Sequence, residues 1–141
     1  MAIQRTLAIV KPDAVKARHV GEIVARIEKE GLRIRALKLV HLTRGQAEGF
    51  YAVHTGKPFF ERLVEFMTSG PCVLMALEGE DAIARWRGIM GPTNPENAPE
   101  GTLRKQFGTS ISFNAVHGSD ATDTAAFELG WFFSGAFDLV G

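Results

Sequence analysis

Apolar positions along the chain repeat with a period of two in some stretches and near three and a half in others. The alternation of the two periods lays out a fold. Arg5–Val10 is rich in β-forming residues and stops at Lys11-Pro12, where proline disfavours continued pairing. Val20, Ile23, Val24 and Ile27 then share one helical face that ends at Gly31. From Leu32 to Leu42 the pattern alternates, but Lys38 interrupts one face while Leu37 and Leu39 are apolar on the other. That predicts a strand buried on both sides in its second half, or bulged. Thr43 is a predicted N-cap for a short helix reaching about His54. Phe60, Leu63, Val64 and Met67 form the next helical stripe, closed by Ser69-Gly70-Pro71.

Cys72–Leu77 reads as a buried strand, and Ile83, Trp86 and Met90 mark a helix ending at Gly91-Pro92. Residues 92–101 carry three prolines and a closing glycine, which predicts a stiff loop. A short helix near Thr102–Phe107, a weak strand over Ser112–His117 and a helix over Asp120–Phe133 complete the order. In that last helix Ala125, Leu129, Phe132 and Phe133 point inward. Strands alternating with helices, too few for a doubly wound sheet, predict an α/β sandwich with a four-stranded, mostly antiparallel sheet. No repeat or long linker interrupts it, so residues 1–141 are expected to be one domain.

Charge narrows the function. Sixteen basic and sixteen acidic residues cancel, yet residues 1–44 hold ten basic and four acidic ones, and the remainder carries the compensating acidic excess. A phosphate site must therefore come from a few cations gathered by folding rather than from a uniformly basic surface. The basic positions between Arg26 and Arg44 have no interleaved aromatics, which argues against nucleic acid as the main partner. The single cysteine, Cys72, forms no internal disulfide and reads as a small core residue, in keeping with a reducing compartment. The first residues show only four consecutive apolar positions before Lys11, too few for a signal peptide, and no run suits a membrane span. A cytoplasmic location is expected.

The chemistry concentrates at Asn114-Ala-Val-His117-Gly118-Ser119-Asp120. A histidine at a strand end is followed by a glycine that permits close approach and by two good caps. Ser119 or Asp120 as cap would bring a helix N-terminus near the imidazole, favourable to phosphate. Neutral imidazole can attack through one nitrogen while the other holds its proton against an acceptor. Taken alone, the stretch also reads as an ordinary turn. Phosphoryl transfer needs converging cations. Lys11 at a strand end, Arg87 on its helix and Arg104 after the loop are candidates, although helical phase does not choose between Arg85 and Arg87. Phe59, off the centre of its stripe, is either core or a stacking platform for a base. No glycine-rich phosphate loop, dinucleotide fingerprint or zinc spacing is present.

Asn114–Asp120 resembles the N-x-x-H-G-S-D signature of nucleoside diphosphate kinases. Further blocks match in order, among them Ile-Val-Lys-Pro-Asp (9–13), Gly-Phe-Tyr-Ala-Val-His (49–54), Lys-Pro-Phe-Phe (57–60), Phe-Met-Thr-Ser-Gly-Pro (66–71), Leu-Glu-Gly (77–79), Gly-Pro-Thr-Asn-Pro (91–95) and Gly-Thr-Leu-Arg (101–104). The resemblance implies a ferredoxin-like fold and a ping-pong transfer of the γ-phosphate from a nucleoside triphosphate to a nucleoside diphosphate. On it, His117 accepts the phosphate on Nδ1 and Glu128 holds the other ring nitrogen. Lys11, Arg87, Thr93 and Arg104 contact phosphates, and Mg²⁺ travels with them, Asp120 reaching it through water. Tyr51 and Ser119 support the histidine, Lys11 and Asn114 meet the ribose, and Phe59 and Ile111 sandwich the base. The resemblance also implies a homo-oligomer, tetramer or hexamer. Three positions depart from the pattern: Pro92 beside Thr93, Gly130-Trp131, and the short tail Ser134–Gly141. A catalytically idle binding or assembly module of the same fold is the alternative; it predicts a damaged constellation, and this one is complete.

Overall fold

The computed structural model describes residues 2–134, so the tail from 135 lies outside the described residues. Four strands, β1 (Ile3–Val10), β2 (Arg33–Val40), β3 (Cys72–Glu80) and β4 (Val116–Gly118), form one sheet in the order β2-β3-β1-β4. Every neighbouring pair is antiparallel. The helices are α1 (Pro12–Lys16), α2 (Val20–Lys29), α3 (Arg44–Phe50), α4 (Phe60–Met67), α5 (Ala82–Met90), α6 (Leu103–Phe107) and α7 (Thr122–Phe132). This is the four-stranded antiparallel α/β sandwich that the alternating periods predict.

The central strands β1 and β3 are buried on both faces, and their period of two sorts residues into two cores. Ala8, Val10, Val73, Met75 and Leu77 pack against Ile23 and Ile27 of α2 and Trp86 and Met90 of α5. Leu7, Ile9, Leu74 and Ala76 pack on the other side against Phe50 of α3, Val64 and Met67 of α4 and Leu129 and Phe132 of α7. Cys72 is a free, buried thiol in this second core. Among the described residues no helix is long and apolar enough to cross a membrane.

Several boundaries differ from the sequence expectation for identifiable reasons. The β2 register shifts between Ile34 and Ala36, so the bulge is real. Two-sided burial of its second half is not observed: β2 is an edge strand, and Leu37 and Leu39 are 49% and 64% exposed. Thr43 caps α3 through a reciprocal box with Gln46, worth about 1 kcal/mol, but α3 stops at Phe50 and a single 3₁₀ turn carries the chain to His54. Pro12 does end β1, and it also starts α1, where its missing N–H is no loss. The weak strand begins at Val116 rather than Ser112, and α7 at Thr122 rather than Asp120. Trp131 lies over Gly49, where a Cβ would run into its ring, and it donates to the Gln46 carbonyl at 3.0 Å. The tryptophan of the Gly130-Trp131 departure is thus packed locally between α7 and α3, while a Cβ at Gly130 would meet open space.

Candidate active site

The β1–β4 ladder places His117. It pairs with Ile9, and cross-strand partners share a face, so the imidazole emerges on the side of Leu7 and Ile9. That side is covered by α3 and α7, which supply its neighbours. The Phe50 ring meets the imidazole edge-on with centroids 5.2 Å apart. His117 Nε2 lies 3.0 Å from Oε1 of Glu128 on α7. A carboxylate accepts, so Nε2 carries a proton, which leaves Nδ1 as the ring nitrogen able to present a lone pair. Ser119, fully buried, donates its hydroxyl to the same Glu128 oxygen at 2.7 Å and accepts from the Leu7 N–H at 3.2 Å. Glu128 is thereby held by two groups, and it in turn holds the ring.

The sequence expectation that Ser119 or Asp120 caps α7 is not met. Ser119 is occupied inside the core, and the helix begins after Ala121, whose N–H donates to Thr124 Oγ1 at 2.9 Å. Thr124 Oγ1 also accepts from the Asp120 N–H at 3.1 Å. Gly118 is needed for a different reason from the one its position suggests. A Cβ there would fall 2.5 Å from Trp86 and 2.7 Å from the Met90 methyl, so α5 and not a substrate presses on it. Trp86 uses the closeness to donate to the His117 carbonyl at 3.0 Å.

His117 opens onto a cleft of about 720 Å³ whose wall also carries Lys11, Tyr51, Arg87, Thr93, Arg104, Ile111 and Asn114. Lys11 and Arg104 are each 8% exposed. Lys11 Nζ donates to Asn114 Oδ1 at 2.8 Å, and Arg104 donates to the Gly91 and Val116 carbonyls at 3.0 and 2.9 Å. Arg104 Nε is buried with no partner. Among the described residues neither cation forms a salt bridge with a carboxylate. Burial, then the neighbouring Arg104 guanidinium, lowers the Lys11 ammonium to about 8, against an opposing pull from Asp13. Burial and the charge of Arg87 likewise bring Arg104 down to about 10, against an opposing pull from Asp120. Burial pushes the Tyr51 phenol up, with Glu128 and Cys72 adding to it, so Tyr51 serves as a neutral wall.

Arg87 lies at the rim and pairs with Asp120 across the mouth. Arg85 points away, donating to the Glu80 and Glu30 carbonyls, which resolves the choice that helical phase left open. Gly91 ends α5 at φ 84°, a left-handed turn that glycine takes freely, and presents its carbonyl to Arg104. Pro92 follows in the cleft wall beside Thr93, whose carbonyl accepts from Asn114 Nδ2 at 3.1 Å. Of the nucleotide-binding candidates, Phe59 is the one that does not line the cleft. It caps α4, 36% exposed, and touches the cleft through His54, its ring centroid 5.1 Å from the imidazole. His54 and Leu63 also line the cleft, whereas the sequence assigns them only to a helix end and a helical stripe.

The approach to His117 is strained. Ala115 sits at φ 72°, and the Val116 N–H closes a three-residue turn on the Asn114 carbonyl at 2.8 Å. A non-glycine residue held there costs about 1–3 kcal/mol. Two buried cations with no carboxylate in salt-bridge contact, facing a cleft beside an imidazole, make a site for a polyanion next to a nucleophile.

The chain matches the family model described as nucleoside diphosphate kinase over residues 4–136. It is 60% identical over 139 residues to the nucleoside diphosphate kinase of Desulfosudis oleivorans, covering 99% of each chain. It is 58% identical over 132 residues to that of Chlamydia felis, covering 94% of each. Among solved structures, the nucleoside diphosphate kinase of Aquifex aeolicus superposes with a TM-score of 0.96 at 48% identity, with 99% of this chain and 100% of that one covered. A halophilic nucleoside diphosphate kinase from Halobacterium salinarum in complex with CDP gives 0.94 at 39%, with 99% and 93% covered.

Proposed function

The chain belongs to the nucleoside diphosphate kinase family, and from that premise we propose that its ping-pong transfer of a γ-phosphate runs through His117, on a single catalytic domain of residues 1–141. The enzyme is a phosphotransferase acting on nucleotides. The observation that carries the assignment is the pair of buried, carboxylate-free cations, Lys11 and Arg104, sharing one cleft with an imidazole whose Nε2 is already committed to Glu128.

In the first half-reaction the Nδ1 lone pair of His117 attacks the γ-phosphorus of the triphosphate. The bond to the bridging oxygen breaks, and the diphosphate leaves. Proton bookkeeping is simple, because Nε2–H stays hydrogen-bonded to Glu128 and the charge gained by the ring is balanced by that carboxylate. Lys11 and Arg104 neutralise the phosphate oxygens, with Thr93 beside them. Arg87 joins once it leaves Asp120 for phosphate. The second half-reaction reverses these steps with a different diphosphate. Asn114 and Lys11 would hold the ribose, with Ile111 on one side of the base and Phe59 reaching the other by turning from His54. Stacking tolerates any base.

Mg²⁺ fits as a passenger on the nucleotide phosphates, supplying charge neutralisation there. Among the described residues Asp120 is the one carboxylate of the cleft wall, and at the rim it would meet the ion through water. The exposed edge of β2 with Leu37 and Leu39 supports a homo-oligomer, tetramer or hexamer, which light scattering would decide. The unpaired buried Cys72 suits the cytoplasm.

The test is incubation with labelled ATP, then a chase with a second nucleoside diphosphate. An acid-labile, base-stable protein phosphate should form and pass to the chase nucleotide, and His117→Ala should take no label. A labelled His117→Ala protein would overturn the assignment.

A further inference from the structure

Asp13 plays no part in the chemistry above, yet it is tied to the site by an unusual contact. The regular β1–β4 ladder covers only Ala8 with Gly118, Ile9 with His117 and Val10 with Val116. Past Val116 the ladder loses its ordinary geometry, because Ala115 is left-handed and the Asn114 carbonyl is turned back onto the Val116 N–H. Three hydrogen bonds from residues 11–13 replace it. The Lys11 N–H donates to the Ala115 carbonyl at 2.8 Å, and Lys11 Nζ donates to Asn114 Oδ1 at 2.8 Å. The third is the Ala115 N–H, which donates to Asp13 Oδ2 at 3.1 Å.

An alanine stays left-handed only where its surroundings over-determine it. Here the Asp13 carboxylate is the one side chain on the amide of the strained residue. Its other oxygen, Oδ1, is buried without a hydrogen-bond partner, and burial raises the Asp13 carboxyl above the ordinary carboxylate range against the opposing pull of the Ala115 amide first, then of the Ala14 amide, the Lys11 charge and its own amide. A group placed only to favour the first turn of α1 would do so as well from a solvated position. The buried orphan oxygen points to a carboxylate drawn inward for the sake of residue 115.

We infer that Asp13 is a positioning residue for phosphoryl transfer, clamping Ala115 in its left-handed turn so that His117 and Asn114 stand in register with Lys11. The inference rests on His117 being the phosphate acceptor. Displacing a nucleophile by about 1 Å is worth on the order of 100-fold in rate, with little effect on binding. Asp13 does not line the cleft, so its loss should appear in the rate of transfer and much less in KM.

The experiment measures single-turnover labelling of His117 by ATP, together with steady-state kcat and KM. In Asp13→Ala, labelling and kcat should fall by about 100-fold while KM changes far less. Asp13→Asn keeps an acceptor oxygen and should recover most of the rate. Adding Ala115→Gly to Asp13→Ala should also recover rate, since glycine takes the left-handed turn without a clamp. Native labelling in Asp13→Ala, or a loss that neither the Asp13→Asn amide nor the glycine recovers, overturns the inference. Should Asp13→Ala not fold, the double variant Asp13→Ala with Ala115→Gly carries the test: a folded protein that labels at near-native rate supports the clamp, and a double variant that still does not fold, or folds and labels slowly, refutes it. If the native enzyme takes no label on His117, the functional reading fails instead, so the two failures are told apart.

Discussion

Lys11→Met separates what the site does from what the fold tolerates. Burial and Arg104 lower the Lys11 ammonium from 10.5 to about 8, so near neutrality the native protein carries a charge that the unfolded chain would carry more comfortably. A tenfold change in proton affinity is about 1.4 kcal/mol, which puts the cost of the charged form at about 3 kcal/mol. Methionine removes that cost with similar volume but leaves Asn114 Oδ1 without its donor, a loss of about 1–3 kcal/mol. The net at pH 7 runs from a variant as stable as the native protein to one about 2 kcal/mol more so, while transfer collapses for want of a cation on the phosphate. The pH dependence is sharper still. For a lysine lowered in the fold, the unfolded chain binds more protons between the two values, so native stability rises with pH there. Between pH 7 and 10 the native protein should gain about 2.5 kcal/mol on Lys11→Met, because every other group is common to both. Urea unfolding of both proteins at equal concentration, followed across that range, measures the difference directly. A difference that stays flat from pH 7 to 10 refutes the reasoning, as does a Lys11→Met protein strongly destabilised at pH 7.

The same lysine should shape activity: kcat/KM for a nucleoside triphosphate should fall above about pH 8 as free-enzyme Lys11 loses its proton, and kcat should hold to higher pH because bound phosphate retains it. Coincident profiles for kcat and kcat/KM would contradict this. Glu128→Ala frees Nε2 of His117 and leaves Ser119 without its acceptor, so kcat should drop by about 10- to 100-fold; unchanged turnover would remove Glu128 from the orienting role. Gly118→Ala drives a methyl into Trp86 and Met90 and should cost about 1–3 kcal/mol of stability in a denaturant titration.

The sheet, the two-sided burial of β3 and the α2 and α5 stripes are legible in the sequence because period and burial coincide there. Lys11, Arg104 and His117 stand at predicted strand and helix ends, and the fold does bring them together. Local signals failed where a tertiary contact decides the outcome. Ser119 looks like a cap, but its hydroxyl is worth more against Glu128 and Leu7 inside the core. Gly118 looks like substrate clearance, and only the packed position of Trp86 reveals its purpose. The helix Pro12–Lys16 is hidden by a proline that reads as a strand terminator and is also a helix starter. Periodicity does not choose between Arg87 and Arg85, since both share one helix at similar angular offset; the family resemblance names Arg87, and in the fold Arg87 lines the cleft while Arg85 is held by the Glu30 and Glu80 carbonyls.

The central claim is that phosphate resides on the His117 nitrogen turned away from Glu128. Native protein phosphorylated by ATP, with the position assigned by ³¹P and ¹⁵N resonances of the imidazole, measures this directly. Phosphate on Nδ1, with Nε2 still protonated, is the result that the hydrogen bond at 3.0 Å requires. Phosphate on Nε2, or on any residue other than His117, would contradict it.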